Sequence, residues 1–462
     1  MRPVRSLVSL AFLAVTIGLV PANASAPASA QILLTPSFGP PTSKVKVAGR
    51  GFGASETVDV SFDSTVVASA TTDPTGAFAA RFHVPASATP GTHTVTSTGE
   101  SSGLSAQAAF LVRTDWSKFH FDMANSGFNP FENVLGEENV GSIVKLWSRP
   151  TGNIVDSSPA VANGVVYLGS DDHYVYALSA ATGAKLWRFH TGSHVESSPA
   201  VANGVVYVGS LGDNVYALNA ATGAKLWSFH TRSEVDSSPA VADGVVYVGS
   251  WDGSVYALNA ATGIKLWRFG TGSYVDSSSP AVANGVVYVG SYDDNVYALD
   301  ASTGAKLWSF ATRSYVSSSP AVANGVVYVG SSDDMFYALN AATGAKLWSF
   351  ATASGVSSSP AIVSGVVYVG SYDGSLYALN AVTGAELWSF ATGSYVDSSP
   401  AVANGVVYVG SWDDNVYALN PATGAKLWSF ATGSHVTSSP AVANGVVYVG
   451  SYDHYVYAFG LP

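Results

Sequence analysis

Residues 157–187 read SSPAVANGVVYLGSDDHYVYALSAATGAKLW, and this stretch decides the fold. Ser158–Val161, Val165–Leu168 and Val175–Leu178 are short apolar runs, and Lys185-Leu186-Trp187 opens a fourth. Asn163-Gly164 divides the first two, a pair that accepts the positive φ angles of a type I′ hairpin. Thr182-Gly183 marks the last turn. Short runs joined by tight turns predict a four-stranded antiparallel meander, strands A to D.

The same unit recurs to the end of the chain. Trp147, Trp187, Trp227, Trp267, Trp308, Trp348, Trp388 and Trp428 each follow Leu, 40 residues apart except for one step of 41, where Ser279 is extra. A fixed period of this length is the signature of a repeat architecture. Each copy carries Pro in strand A, from Pro159 to Pro440. Proline lacks the N–H that a central strand needs, so strand A is an edge, and its small neighbours suit a crowded axis. Strand D then lies outermost, its Trp packed between neighbouring units. The chain ends on a strand C, Val456–Phe459, while Leu146-Trp147 precedes the first strand A. The missing outer strand is therefore expected from Val144–Ser148, joining the two ends so that no unit is left open. The expected fold is all-β, an eight-bladed propeller over residues 144–462.

Charged residues make up 11% of the 462, with 20 basic and 31 acidic. An ordinary soluble domain has about 25%. The only long apolar stretch is Leu7 to Val20, which excludes a multi-span channel or transporter. Aromatic content of 12% excludes a disordered chain. The acidic balance argues against nucleic acid as a partner. Residues 1–30 read as a secretory leader: Arg2 and Arg5, the apolar run, then small-residue sites at Ala22-Asn23-Ala24, Ala24-Ser25-Ala26 and Ala28-Ser29-Ala30. Its removal leaves 18 basic against 31 acidic residues, a net charge of −13. The expected product is a secreted or cell-surface monomer with no membrane span. The chain has no Cys, which excludes thiol catalysis, thiolate metal sites and a lipid-bearing Cys at the leader junction.

Residues 31–113 alternate apolar runs with turn residues, at Lys44–Val47, Thr57–Phe62, Ala77–Val84, Thr92–Ser97 and Ala108–Val112, and predict a small β-sandwich. The order Pro36-Ser37-Phe38-Gly39-Pro40, Val45-Lys46-Val47-Ala48-Gly49, Gly51-Phe52 and Pro90-Gly91-Thr92 resembles the bacterial IPT/TIG-like immunoglobulin modules, which implies a spacer or adhesion unit. His83 and His93 read as ordinary strand residues. Residues 114–143 form a lead-in.

At Ala177 to Trp187 the repeat is similar to the tryptophan-docking motif A-x-D-x-x-T-G-x-x-x-W of PQQ-like, quinoprotein-type propellers. Asn replaces the motif Asp in most copies, as at Asn219, and Asp300 retains it. The lead-in residues Trp116, Phe119, Gly127-Phe128-Asn129-Pro130, Glu132 and Asn139-Val140 are similar to the run before the first blade of that family. The resemblance implies one of two functions. Dehydrogenases of the family hold PQQ and calcium on the axis, with an Asp base, Glu, Asn and Asp ligands, often a vicinal Cys pair, and long insertions. This chain has no Cys and no insertion beyond Ser279, and Asp156, Glu196, Asp236, Asp276 and Asp397 share one repeating slot. The expected product is therefore a non-enzymatic binding or scaffold propeller with no cofactor. The alternatives are a PQQ- and calcium-dependent dehydrogenase of alcohols or sugars, and a purely structural surface repeat.

Comparing the eight copies locates the variation. The A–B and C–D turns barely change, whereas the D–A and B–C turns differ, and a meander places those two at one end of the blade. Before strand A stand Ile154, His194, Glu234, Tyr274, Tyr315, Gly355, Tyr395 and His435. The B–C turns open with Asp171, Leu211, Trp251, Tyr292, Ser332, Tyr372, Trp412 and Tyr452. Aromatic rings supply contact area with a polar edge at low entropic cost. The candidate binding residues are His194, Glu234, Tyr274, Tyr315, Tyr395, His435, Trp251, Tyr292, Tyr372, Trp412 and Tyr452, for an extracellular protein, glycan or small ligand. Drift in permissive turns is the plain alternative. His173, His194, His435 and His454 fall in neighbouring blades and form a secondary candidate for zinc.

Overall fold

The computed structural model describes residues 29–462, so the expected leader lies outside the described residues save Ser29 and Ala30. The chain divides into two compact units. In the N-terminal part, one sheet has the order Gln31–Thr35, Lys44–Arg50, Phe78–His83. A second has the order Phe38–Gly39, Ser105–Val112, Gly91–Gly99, Thr57–Phe62, Thr65–Thr71. Alternate residues are buried, as at Val58, Val60 and Phe62, because successive side chains leave a strand on opposite faces. Thr65–Thr71 is a strand that the sequence reading did not single out; no residue in it is fully buried, so its alternation is weak.

The larger unit is a β-propeller. Among the described residues it holds eight four-stranded antiparallel meanders, each in the order A-B-C-D. In the first blade these are Ala160–Ala162, Val165–Ser170, Tyr174–Ser179 and Lys185–His190. Asn163 and Gly164 both have positive φ, as the tight A–B turn requires. Strands B and C are buried on both faces because blades cover each side, which explains the unbroken run Val165 to Leu168. Strand D is largely exposed, including its leucines, as at Leu186. The last blade takes its outer strand from Val144–Pro150, which pairs antiparallel with Tyr455–Gly460.

Two sets of hydrogen bonds hold blade to blade. At the rim, each Trp indole donates to a carbonyl of the next blade: Trp147 to Ala180, Trp187 to Ala220, and so on to Trp428 with Ile143, all at 2.9–3.1 Å. Tyr167 Oη donates to the same Ala220 carbonyl as Trp187. The C–D glycines lie under these rings; a Cβ on Gly223 would stand 2.7 Å from the Trp187 ring. At the axis, the Ser-Ser pair before each Pro forms two belts. Ser157 Oγ donates to Ser197 O, Ser197 Oγ to Ser237 O, and the series closes when Ser438 Oγ donates to Ser157 O. In the second belt the Ser158 amide donates to Ser198 Oγ, closing with the Ser439 amide to Ser158 Oγ. The inserted residue does not break either belt, because Ser278 and Ser279 fill the two positions.

The lead-in closes one end of the axis. Trp116 pairs with Val161, and the carbonyls of Ser117, Met123, Ala124, Ser126 and Gly127 accept from Val201, Val282, Val322, Ile362 and Val402, all on strands A. Phe128–Asn129 adds as a parallel strand beside Ala401–Ala403, and Asn129 Nδ2 donates to Val442 O. Seven of the eight inner strands therefore touch this segment. Asp115 accepts from the Asn163 amide, and Thr114 exchanges hydrogen bonds with Asn444, so the closed end is that of the A–B turns.

Candidate functional site

Closure at one end leaves a pit open at the other. The pit holds about 240 Å³, with Phe119 of the lead-in among its lining residues. The second serines of the belts, from Ser158 to Ser439, ring its wall, and Asp156, Glu196, Asp236 and Asp397 project into it beside Ser317, Ser357 and Thr437. The repeating slot noted in sequence thus becomes a collar of carboxylates round the axis. Asp276, displaced by the extra residue of its blade, accepts a hydrogen bond from the Trp251 indole.

No basic side chain lines the pit. Burial pushes the collar carboxyls up, since a poorly solvated carboxylate is costly, and the neighbouring acids add to the effect. Glu196 rises to about 8, through burial and then the charges of Asp156 and Asp171. Asp397 rises to about 7 for the same two reasons, and Asp236 stands well above the ordinary range. The pit concentrates acidity that would be relieved by a cation.

The variable residues form the mouth of this pit. Tyr292, Tyr315 and Tyr372 are among its lining residues, and Tyr452 Oη lies 3.4 Å from Asp156 Oδ2. Two aromatic arcs emerge. In one, Trp251 stacks on Tyr274 with ring centres 5.6 Å apart, followed by Tyr292 and Tyr315. In the other, Tyr372, Tyr395, Trp412, His435 and Tyr452 follow in contact, with Trp412 and His435 stacked at 5.0 Å. Ser332 and Gly355 interrupt the arcs between Tyr315 and Tyr372. Tyr274, Tyr315 and Tyr395 are exposed. His194 stands on the remaining sector, and Glu234 borders the first arc, its carbonyl accepting from the Trp251 amide at 2.9 Å; Glu234 also adds to the charge felt by Glu196.

The second residue of the B–C turn, Asp in seven copies, is occupied by fold chemistry. Asp172 Oδ1 accepts from the Tyr174 amide, and Oδ2 accepts from Tyr176 Oη and the Gly152 amide. Where Gly212 stands instead, Tyr216 Oη turns to the Thr191 carbonyl. These carboxylates brace one turn against the next.

The structure groups the four histidines differently from the sequence expectation. His173 and His194 have ring centres 5.2 Å apart. His435 is engaged by Trp412 and by Asp414 Oδ1 at 3.1 Å, and His454 is exposed. Among the described residues the set able to converge on an ion is Asp171, His194 and Glu196. Sequence comparison of the copies found His194 but missed both carboxylates as its partners, because Asp171 and Glu196 come from different slots.

A repeat model, PQQ_2, described as outer membrane protein assembly factor BamB, matches residues 141–198, 171–279, 252–394 and 372–460. The chain belongs to the PQQ_2 family. Among solved structures, this PQQ_2 chain is similar to BamB from Moraxella catarrhalis, at 21% identity and TM-score 0.61, covering 69% of this chain and 99% of that one. The computationally designed Ika8 protein matches at 22% identity and TM-score 0.63, covering 68% and 99%. A quinohemoprotein alcohol dehydrogenase from Comamonas testosteroni matches at 18% and 0.65, covering 75% and 80%. Likeness at these identities is likeness of fold, since one fold carries many functions. No curated protein sequence matches.

Proposed function

We propose that this chain is an exported, non-catalytic binding propeller that holds a cationic segment of an extracellular protein at the mouth of the axial pit, with the N-terminal Ig-like module as its spacer. The observation that carries this reading is the coincidence of two aromatic arcs with the acidic collar at the open end of a pit closed from below. Lysine and arginine side chains gain both from carboxylates and from ring faces, the latter by about 0.5–2 kcal/mol per contact. A neutral glycan would use the rings and leave the collar unrelieved. Membership of a family described by an assembly factor accords with a role in holding other proteins.

PQQ does not fit this pit. It is a planar quinone bearing three carboxylates, and the lining supplies acids and serines with no Lys or Arg to receive them. Adding it would raise the repulsion that already lifts Glu196 and Asp397. The test pairs two assays. Protein mixed with PQQ and calcium should show neither bound-quinone absorbance nor dye reduction with alcohols or sugars. On arrays, cationic peptides should be retained in preference to neutral glycans, and replacing Trp251, Tyr292, Tyr372 and Trp412 with Ala should abolish retention while leaving the fold intact. Quinone-dependent turnover, or retention by the four-ring variant, would overturn the reading.

A further inference from the structure

The repeat departs from its own template four times at one spot. Asp171 opens a B–C turn where the other copies carry Leu, Ser or an aromatic residue, and Glu196 is the only glutamate in a slot otherwise filled by Asp, Ser or Thr. His194 precedes it by two residues, and His173 takes a left-handed position, φ +74°, that six other copies fill with Asp or Gly in the same conformation and the last with His454. Blades 1 and 2 bring these four together.

One donor atom from each of Asp171, His194 and Glu196 lies within 4.8 Å of the others. His194 Nδ1 stands 3.7 Å from Asp171 Oδ2, beyond hydrogen-bond length. The other oxygen, Asp171 Oδ1, is buried with no hydrogen-bond partner. A buried carboxylate oxygen left unpaired costs free energy, and native proteins rarely leave one so. The neighbouring charges are Asp156 and Asp172, with Glu196 also feeling the charge of Asp171, and the histidines oppose them. No Lys or Arg is among the groups that act on Asp171.

We propose that Asp171, His194 and Glu196 bind one divalent transition ion of the zinc class, clipping blade 1 to blade 2 at the rim of the pit, with His173 beside the open coordination position. Tetrahedral zinc with nitrogen and oxygen ligands sets donor atoms roughly 3.4 Å apart, so the three must draw together by about 1 Å. The imidazole selects against calcium and magnesium, which take oxygen ligands. The site goes beyond the peptide reading and does not depend on it, since neither aromatic arc supplies a ligand.

The test uses the full chain without an affinity tag, stripped with chelator and titrated with Co²⁺ and Zn²⁺. One ion per chain is expected by elemental analysis, with visible cobalt bands of low-symmetry coordination that Zn²⁺ displaces and excess Ca²⁺ does not. His194→Ala and Asp171→Asn should each weaken binding at least tenfold, and His435→Ala, in the matching slot of another blade, should leave it unchanged. His194 is exposed enough for its removal to leave folding intact, which circular dichroism checks. Absence of stoichiometric cobalt binding, full binding by His194→Ala, or equal loss in His435→Ala would each overturn the site.

Discussion

Ser438 Oγ donates to the carbonyl of Ser157 at 3.3 Å across 281 positions of sequence, and this contact closes a belt that passes through every blade. The same Oγ accepts from the Gly450 amide, so it serves two backbone groups at once. Removing it leaves a buried donor and a buried acceptor unsatisfied. Ser438→Ala should cost about 1–3 kcal/mol in urea unfolding. Ser228→Ala, on an exposed outer strand, should cost little by the same measurement.

Two glycines separate backbone strain from ring packing. Gly204 and Gly223 both have positive φ, near +77° and +71°. A Cβ on Gly204 meets nothing within 4 Å, whereas one on Gly223 meets the Trp187 ring at 2.7 Å. Gly204→Ala should therefore carry only the left-handed penalty of about 1–2 kcal/mol. Gly223→Ala should cost clearly more, and its Trp187 fluorescence should shift as the indole leaves the Ala220 carbonyl. Equal losses would mean the ring moves freely.

The blade was legible because its determinants are local. Asn163-Gly164 sets a turn by its own φ angles, and the Leu-Trp period counts the units. The closing strand at Val144–Pro150 followed from counting strands. What was not legible depends on convergence. Ser157 and Ser158 read as merely small, because nothing in one copy says that their oxygens meet the next copy. The segment from Trp116 to Asn129 lacks alternation, since its carbonyls pair with six different strands, and its Asn129 side-chain amide with a seventh, rather than with one. Asp156, Glu196, Asp236 and Asp397 looked like an unremarkable repeating slot until the ring gathered them on one axis.

The collar makes stability depend on pH. Folding raises Glu196 from 4.5 to about 8 and Asp397 from 3.8 to about 7, so the folded chain binds more protons than the unfolded one in that interval. Stability must then fall as pH rises from about 5 to 8. At the acid end the sign reverses: hydroxyls of Ser302 and Thr303 hold Asp300 down to about 2, and that contribution is lost as pH drops below 4. The thermal midpoint should peak near pH 5, and Glu196→Gln should flatten the decline above it. A midpoint constant from pH 5 to 8 would contradict the assignment.

The floor of the pit depends on Asn125. Its amide donates to Pro320 O at 3.1 Å, and its Oδ1 accepts from buried Lys118 Nζ, which also donates to the carbonyls of Phe119 and Asp122. Asn125→Leu should leave that ammonium short of one acceptor and cost about 1.5–3 kcal/mol, the worth of a hydrogen bond to a charged group. Hydrogen exchange should accelerate at the Val282 and Val322 amides, which bond to the lead-in.

The most direct measurement is a calorimetric titration of an arginine- and lysine-rich peptide into the full chain, repeated with Trp251→Ala/Trp412→Ala and with Asp156→Asn/Asp397→Asn. Saturable one-to-one binding is expected, weakened at least tenfold in each double variant and weakened again by 0.5 M salt. Absence of binding to the parent chain, or parental affinity in either double variant, would contradict a cation-holding mouth.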